Sequence, residues 1–267
     1  MLGAIFGDIV GSVYEFRNTH DYNFRLLTEY SEFTDDSVMT AAVAMGLMES
    51  YGKNDDEIRK SLIKWMKKMG KHYPNAGYGA KFYYWVLGDD REPYYSCGNG
   101  SAMRVSSAGW MFDSLGETEH VAELTAEVTH THPEGIKGAK ATATAIFLAR
   151  TGKSKKEIRD YIESVYHYDL DKSMKDIVSR GHGEEICQIS VPQALVCFLL
   201  SDSYIDTIRK AVSIGGDSDT IACIAGSIAE AYYGMDEQYK DETIKRLPDD
   251  LKEIVTAFEG YRKNRVK

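Results

Sequence analysis

The sequence predicts an all-α protein: a single compact orthogonal domain of roughly a dozen helices spanning residues 1–267. Three observations lead there. Proline is scarce, with 5 in the chain, so few segments are barred from helix. Helix start signals stand directly ahead of amphipathic runs, as in Asn54-Asp55-Asp56-Glu57 and Ser154-Lys155-Lys156-Glu157, both of which read as capping boxes. Strand-like alternation is hard to find. The best strand candidate, Phe82-Tyr83-Tyr84-Trp85, fits a buried helix equally well.

The first segment places Gly3, Gly7 and Gly11 every four residues, on one face of a helix. A face without side chains lets another backbone approach closely, at about 1 kcal/mol per glycine relative to alanine. Asp8, Ser12 and Glu15 form a second, polar stripe. Alone that stripe reads as solvated surface, since most helical acids are exposed, but the glycine face argues that the helix is central. Farther on, Ile58, Leu62, Trp65, Met66 and Met69 recur at helical spacing, as do Ile158, Tyr161, Ile162 and Val165. Residues 121–129, 134–150, 191–200 and 251–261 behave alike. No segment looks like a long linker, a low-complexity tract or a repeat array.

Composition narrows the class. Hydrophobic content of 43% and charged content of 27% are ordinary for a soluble globular protein. The net charge of −9 disfavours a nucleic-acid backbone binder, though not a local site for a small phosphorylated ligand. Cys97, Cys187, Cys197 and Cys223 form no CxxC pair, so free thiols in a reducing cytoplasm are expected rather than a zinc ribbon. The N-terminus has no basic n-region and Asp8 interrupts its short apolar run. Neither a signal peptide nor a membrane span is expected.

Two acidic clusters dominate the chemistry: Thr34-Asp35-Asp36-Ser37 and Gly215-Gly216-Asp217-Ser218-Asp219-Thr220. Each runs into an apolar helical segment, and Gly215-Gly216 permits a tight turn into the second. Asp, Ser and Thr are favoured N-caps, but a cap needs one such residue, not a run of them. Adjacent carboxylates raise each other's pKa unless a cation lies between them. All the candidate ligands are hard oxygens, which suits Mg²⁺ or Mn²⁺ rather than zinc. A site assembled from both ends of the chain is expected, and two cations there could orient a diol or polarise a water.

A third motif is Ser96-Cys97-Gly98-Asn99-Gly100-Ser101-Ala102-Met103-Arg104. Gly-Asn-Gly ahead of a helical pattern offers bare N–H groups to an anion, although Asn-Gly is also an ordinary turn. Arg104 reads equally as a structural ion-pair partner. In Thr129-His130-Thr131-His132-Pro133, His130 fits a ligand-orienting donor, and His132 fits a structural or solvated role.

In this order these motifs, together with Gly7-Asp8-Ile9-Val10-Gly11 through Glu15, resemble the ADP-ribosylglycohydrolase family, the DraG-like ADP-ribosylhydrolases. The resemblance reaches from residue 7 to residue 220 and rests on the set, since each motif alone is weak. It implies an all-α fold, a binuclear Mg²⁺ or Mn²⁺ centre, and cleavage of an N- or O-glycosidic bond between ADP-ribose and a modified acceptor. It assigns Thr34, Asp35, Asp36 and Asp219 to one metal, and Asp217, Asp219 and Thr220 to the other, with Asp219 bridging. Glu15 matches a mobile acid beside the second metal. The Gly98–Gly100 loop with Ser101 and Met103, and His130, match elements that hold the distal ribose and the diphosphate. Ser96 and Cys97 precede the loop and are expected to face the ligand. Some relatives place an aromatic against adenine where this chain has Cys97, so Tyr94 or Tyr95 would have to supply the stacking.

The expected reaction has Asp35, Asp36 or Asp217 taking a proton from water, with Glu15 holding substrate or acting as acid or base. The expected partner is an ADP-ribosylated protein or small-molecule acceptor, and the expected state is a monomer. Three other readings stand beside it: a hydrolase of another nucleoside or nucleotide glycosidic bond, a non-catalytic ADP-ribose-binding module, and a structural protein, as in lens crystallins that resemble this family. The intact acidic set favours catalysis.

Overall fold

A computed structural model describes residues 1–89, 92–178 and 185–263. Among the described residues there are fourteen helices and no strand beyond isolated bridges at Tyr94, Tyr95 and Gly98. The expected all-α architecture is what the chain adopts, and the buried apolar side chains form one continuous cluster.

Two helices sit at its centre. Every residue of α1 (Leu2–Gly11) is buried, as is α12 (Ser218–Tyr233) from Ser218 through Glu230. They make the most extensive helix pair in the molecule, and the glycine face of α1 explains how. A Cβ added at Gly7 would lie 2.1 Å from the Ala222 carbonyl oxygen, and one at Gly11 would lie 2.3 Å from the Asp219 Cα. Backbone meets backbone with no side chain between. At the other end of the pair, Glu230 accepts from the Met1 ammonium at 2.6 Å and from Gly3 N–H at 2.8 Å, and pairs with Arg262 at 3.1 Å. Burial alone would raise the Glu230 pKa, but these cations hold it below the usual value.

The polar stripe divides. α1 ends at Gly11, so Ser12 and Glu15 lie beyond it, whereas Asp8 is fully buried rather than solvated. It accepts hydrogen bonds from Thr34 N (3.0 Å), Thr34 Oγ1 (2.7 Å) and Ser37 N (3.0 Å), and a short one from Ser37 Oγ. These donors stand at the start of α2 (Asp35–Glu49), whose N-cap is Thr34. A carboxylate on one helix thus satisfies the orphan donors of another.

The other elements follow their local signals. Asn54 caps α3 (Asp55–His72), but its backbone N–H is not taken by Glu57, whose carboxylate instead accepts from the Asn54 amide. The aromatic run is helical, within α4 (Ala80–Leu87). The short α5 (Gly100–Met103) and α6 (Ser106–Met111) lead to α7 (Leu115–Glu127). His132 caps α8 (Pro133–Arg150), with Pro133 in the first turn, where its missing N–H is harmless. Ser154 and Glu157 complete a full capping box on α9 (Lys155–Tyr166). α10 (Cys187–Leu199), α11 (Tyr204–Ser213), α13 (Glu237–Lys245) and α14 (Asp249–Lys263) finish the bundle. All four cysteines are free. No described helix is long and apolar enough to cross a membrane.

Overpacking a tight contact typically costs about 1–3 kcal/mol, so Gly11→Ala is expected to destabilise by at least that range. Gly116→Ala, where a Cβ meets nothing within 4 Å, should be neutral or slightly stabilising. Urea unfolding of both variants checks this, and equal stabilities would remove the close-contact argument.

Candidate metal and ligand site

The N-termini of α2 and α12 meet at a cleft of about 320 Å³. Gly215 and Gly216 turn the chain into α12 with φ of +73° and +77°, values open to glycine and awkward for other residues. Asn18 brackets this turn, donating to Gly216 O at 2.9 Å and accepting from Gly216 N at 3.0 Å. One wall carries Glu15, Asp35, Asp36, Asp217, Asp219 and Thr220, and the other carries Ser96, Gly98, Asn99, Gly100, Met103 and His130. Two helix N-termini aimed at the acidic wall favour negative charge there.

Most residues singled out in the sequence therefore converge. Three do not line this cleft. Thr34 directs its hydroxyl to Asp8. Ser101 is buried and donates to the Gly135 carbonyl at 2.7 Å. Cys97 is half-exposed, and its backbone carbonyl accepts from Cys187 N. Tyr94 lines the cleft beside Phe82, whereas Tyr95 is exposed and packs on His132.

The carboxylates form two groups whose oxygens lie within 4.8 Å of one another, Asp8–Asp36–Asp219 and Glu15–Asp217–Asp219. Asp219 belongs to both. Burial first, then neighbouring carboxylates, pushes Asp35, Asp36 and Asp219 well above the usual range. Burial raises Asp8 to about 6, against the pull of its hydrogen bonds from Thr34 and Ser37. Burial, followed by the charges of Asp217 and Glu185, raises Glu15 to about 7. Thr220 Oγ1 donates to Asp36 Oδ2 at 3.1 Å, yet Asp36 Oδ1 is buried with no hydrogen-bond partner. Converging hard oxygens, mutual repulsion and an orphaned acceptor fit a divalent cation.

The neutral wall is built differently from its sequence outline. The Gly98 N–H donates to Ser96 Oγ and the Asn99 N–H to the Glu185 carbonyl, so fewer loop N–H groups face the cleft. The Asn99 amide points inward, donating to Asp217 Oδ2 at 2.5 Å and Ser190 Oγ at 2.9 Å, and so ties the loop to the acidic wall. Arg104 is 1% exposed. It makes no ion pair among the described residues, donating instead to the Thr125 carbonyl and Thr129 Oγ1. Burial and then Arg104 hold His130 well below the ordinary histidine pKa, so its ring is neutral.

Sequence reasoning missed two cleft-associated acids. Asp8 reads in the sequence as one member of a polar stripe with no ligand role, and its signal is the glycine face beside it. Glu185 carries no local signal; its place is set by the contact of its carbonyl with Asn99.

The family model for ADP-ribosylglycohydrolase matches residues 1–265. The chain belongs to the ADP-ribosylglycohydrolase family. Among its relatives, it is 29% identical to "ADP-ribosylhydrolase ARH3" of Homo sapiens over 89% of this chain and 85% of that protein. It is 23% identical to "ADP-ribosyl-(dinitrogen reductase) glycohydrolase" of Rhodospirillum rubrum over 88% and 85%. A solved structure titled "ADP-ribosylglycohydrolase-related protein complex" has the same fold, with a TM-score of 0.65 at 18% identity over 98% of this chain and 97% of that one. The buried acids Asp8, Asp36 and Asp219 fit a metal site in a member of this family.

Carboxylates with raised pKa values make the folded protein bind more protons than the unfolded chain. Without a cation, their contribution to stability is therefore complete below pH about 4 and is lost as pH rises towards about 7. A divalent cation displaces those protons. Mn²⁺ or Mg²⁺ at about 100 times its Kd should add about 2.7 kcal/mol, and the gain in Tm should be larger at pH 7.5 than at pH 5.5. Thermal melts of chelator-treated protein test this, and a gain that is zero or larger at the lower pH contradicts it.

Proposed function

We propose that this protein is a divalent-cation-dependent hydrolase that releases ADP-ribose from an ADP-ribosylated acceptor by cleaving the glycosidic bond at the distal ribose. The observation that carries the reading is the convergence of both acidic clusters, the Gly98–Gly100 loop and His130 on one cleft. The activities for which its relatives are named, ADP-ribosylhydrolase and glycohydrolase, support it.

Asp36, Asp217 and Asp219 would hold two cations, Mg²⁺ or Mn²⁺, with Asp8, Asp35, Glu15 and Thr220 around them, and Asp219, common to both carboxylate groups, would serve both. Bound there, the cations would supply Lewis-acid polarisation of the ribose hydroxyls and of water. The chain's own groups do the rest. Asn99 holds Asp217 and the loop at fixed separation. Asp35 or Asp217, both on the cleft wall, takes the proton from the attacking water. The carboxylates stabilise positive charge developing on the ribose. The loop and His130 hold the diphosphate, and Tyr94 or Phe82 offers a face to the adenine.

Glu15 stands at a boundary. It and Gly77 line both the cleft and a second recess of about 580 Å³, whose rim carries the exposed rings of Phe16 and Tyr30. With the diphosphate at the loop and the ribose at the acids, the severed bond faces this recess. Glu15 is then positioned to pass a proton to the departing acceptor, and the recess gives that acceptor room.

Cation-stripped protein incubated with ADP-ribosylated arginine and serine peptides should release ADP-ribose from one of them only when Mg²⁺ or Mn²⁺ is restored. Asp219→Ala should lower the rate by about 10²–10³-fold or more. Release without a divalent cation, or a fully active Asp219→Ala protein, sinks the reading.

A further inference from the structure

We propose that Arg104 is a positioning residue which, through the Thr129 hydroxyl, holds His130 as the Nε2–H tautomer, a fixed donor over the Gly98–Gly100 loop. The tautomer follows from donor counting. That its partner is the diphosphate rests on the function proposed above.

Three fully or nearly fully buried groups form a chain. An Arg104 terminal nitrogen donates to Thr129 Oγ1 at 2.8 Å, and Thr129 Oγ1 lies 2.7 Å from His130 Nδ1. Thr129 is 0% exposed, Arg104 1% and His130 4%. A guanidinium has donors and no acceptor, so the direction of the first bond is certain. The threonine oxygen receives that bond and has a single proton to give. Among the described residues, His130 Nδ1 is the one acceptor in reach of it. Were Nδ1 protonated, two donors would face the same oxygen and the buried hydroxyl proton would have no acceptor, an arrangement that buried polar groups avoid. Nδ1 therefore accepts, and the neutral ring carries its proton on Nε2.

Nε2 is where a ligand would need it. A Cβ added at Gly98 would lie 3.4 Å from His130 Nε2, and one at Gly100 would lie 3.5 Å from it, so the ring edge rests against the two glycines that line the cleft. No hydrogen bond among the described residues engages Nε2. The arrangement also explains a guanidinium without a carboxylate. An acid beside Arg104 would cancel its charge, whereas here the charge remains behind a neutral donor, as an anion site requires.

The ring nitrogens can be read directly. In ¹⁵N-histidine-labelled protein, with the His130 signals assigned by their loss in His130→Gln, long-range ¹⁵N–¹H spectra should show the Nε2–H form in the wild type and in Thr129→Ser. Thr129→Val keeps the shape and removes the hydroxyl, so it should move the His130 nitrogen signals towards a tautomer mixture. Titration calorimetry with ADP-ribose should then show binding weakened on the order of tenfold in Thr129→Val and restored in Thr129→Ser. Arg104→Met, where circular dichroism shows it folded, should disturb the tautomer as Thr129→Val does. An Nδ1–H ring in the wild type, or unchanged ring signals in Thr129→Val, overturns the proposal. If the tautomer behaves as stated but ADP-ribose binds neither wild type nor variants, the relay stands and the proposed function falls.

Discussion

The backbone contact between α1 and α12 is the constraint on which the rest of the molecule depends. Buried carboxylates repel one another, and a fold that gathers them must hold them by something stiffer than side chains. Gly7 against Ala222 and Gly11 against Asp219 supply that stiffness, because no rotamer stands between the two helices. The contact also determines which acids meet. It lays the segment carrying Asp8 along the one carrying Asp219, across most of the chain's length. Closing so long a loop costs only slightly more than closing a short one, since the entropy grows with the logarithm of length. Glu230, gripping Met1 and Arg262 at the opposite end, keeps the two helices from pivoting about their glycine contacts.

From that pair the site is braced on three sides. Asp8 reaches from α1 to the first turn of α2 through four donors. Thr220 reaches from α12 to Asp36 on α2. Asn99 reaches from the loop to Asp217. Each brace is a hydrogen bond to a carboxylate, so the same groups that would bind a cation also set the spacing between helices. Preorganisation of this kind reduces what a ligand must rearrange. It also couples site and stability, because disturbing one carboxylate loosens a helix junction.

Much of this was legible in the sequence, for identifiable reasons. Caps and acidic clusters are local chemistry, so Thr34, Ser154 and the run around Asp217 announced themselves within a few residues. The glycine face of α1 was legible through its period, and so was its consequence, a central helix. What stayed hidden depends on contacts between distant segments. Asp8 reads as part of a polar stripe, and nothing nearby in sequence shows that α2 lies over it. Arg104 invites a carboxylate partner, yet it finds a carbonyl and a hydroxyl on the turn before His130. Loop residues next to one another need not share a direction, which is why Gly98, Asn99 and Gly100 line the cleft while Cys97 and Ser101 do not. The bare N–H groups expected of the loop are partly engaged by Ser96 and Glu185, partners that no spacing rule could have named.

The two walls of the cleft give it a polarity. One carries buried and half-buried carboxylates; the other presents the loop glycines, the Asn99 amide and the neutral His130 ring, with the buried Arg104 against them. An anion laid against the first wall would meet repulsion from several charges at once, while against the second it meets donors. Hydroxyls, which can chelate a cation, suit the first wall. A ribosyl diphosphate therefore fits with its diol on the first wall and its diphosphate on the second. For the proposed reaction this orientation leaves the anomeric carbon beside Glu15, at the opening into the recess rimmed by Phe16 and Tyr30. On the proposed function, the asymmetry of the walls sets the diol and the diphosphate on opposite sides of the cleft, and the acceptor departs into the recess.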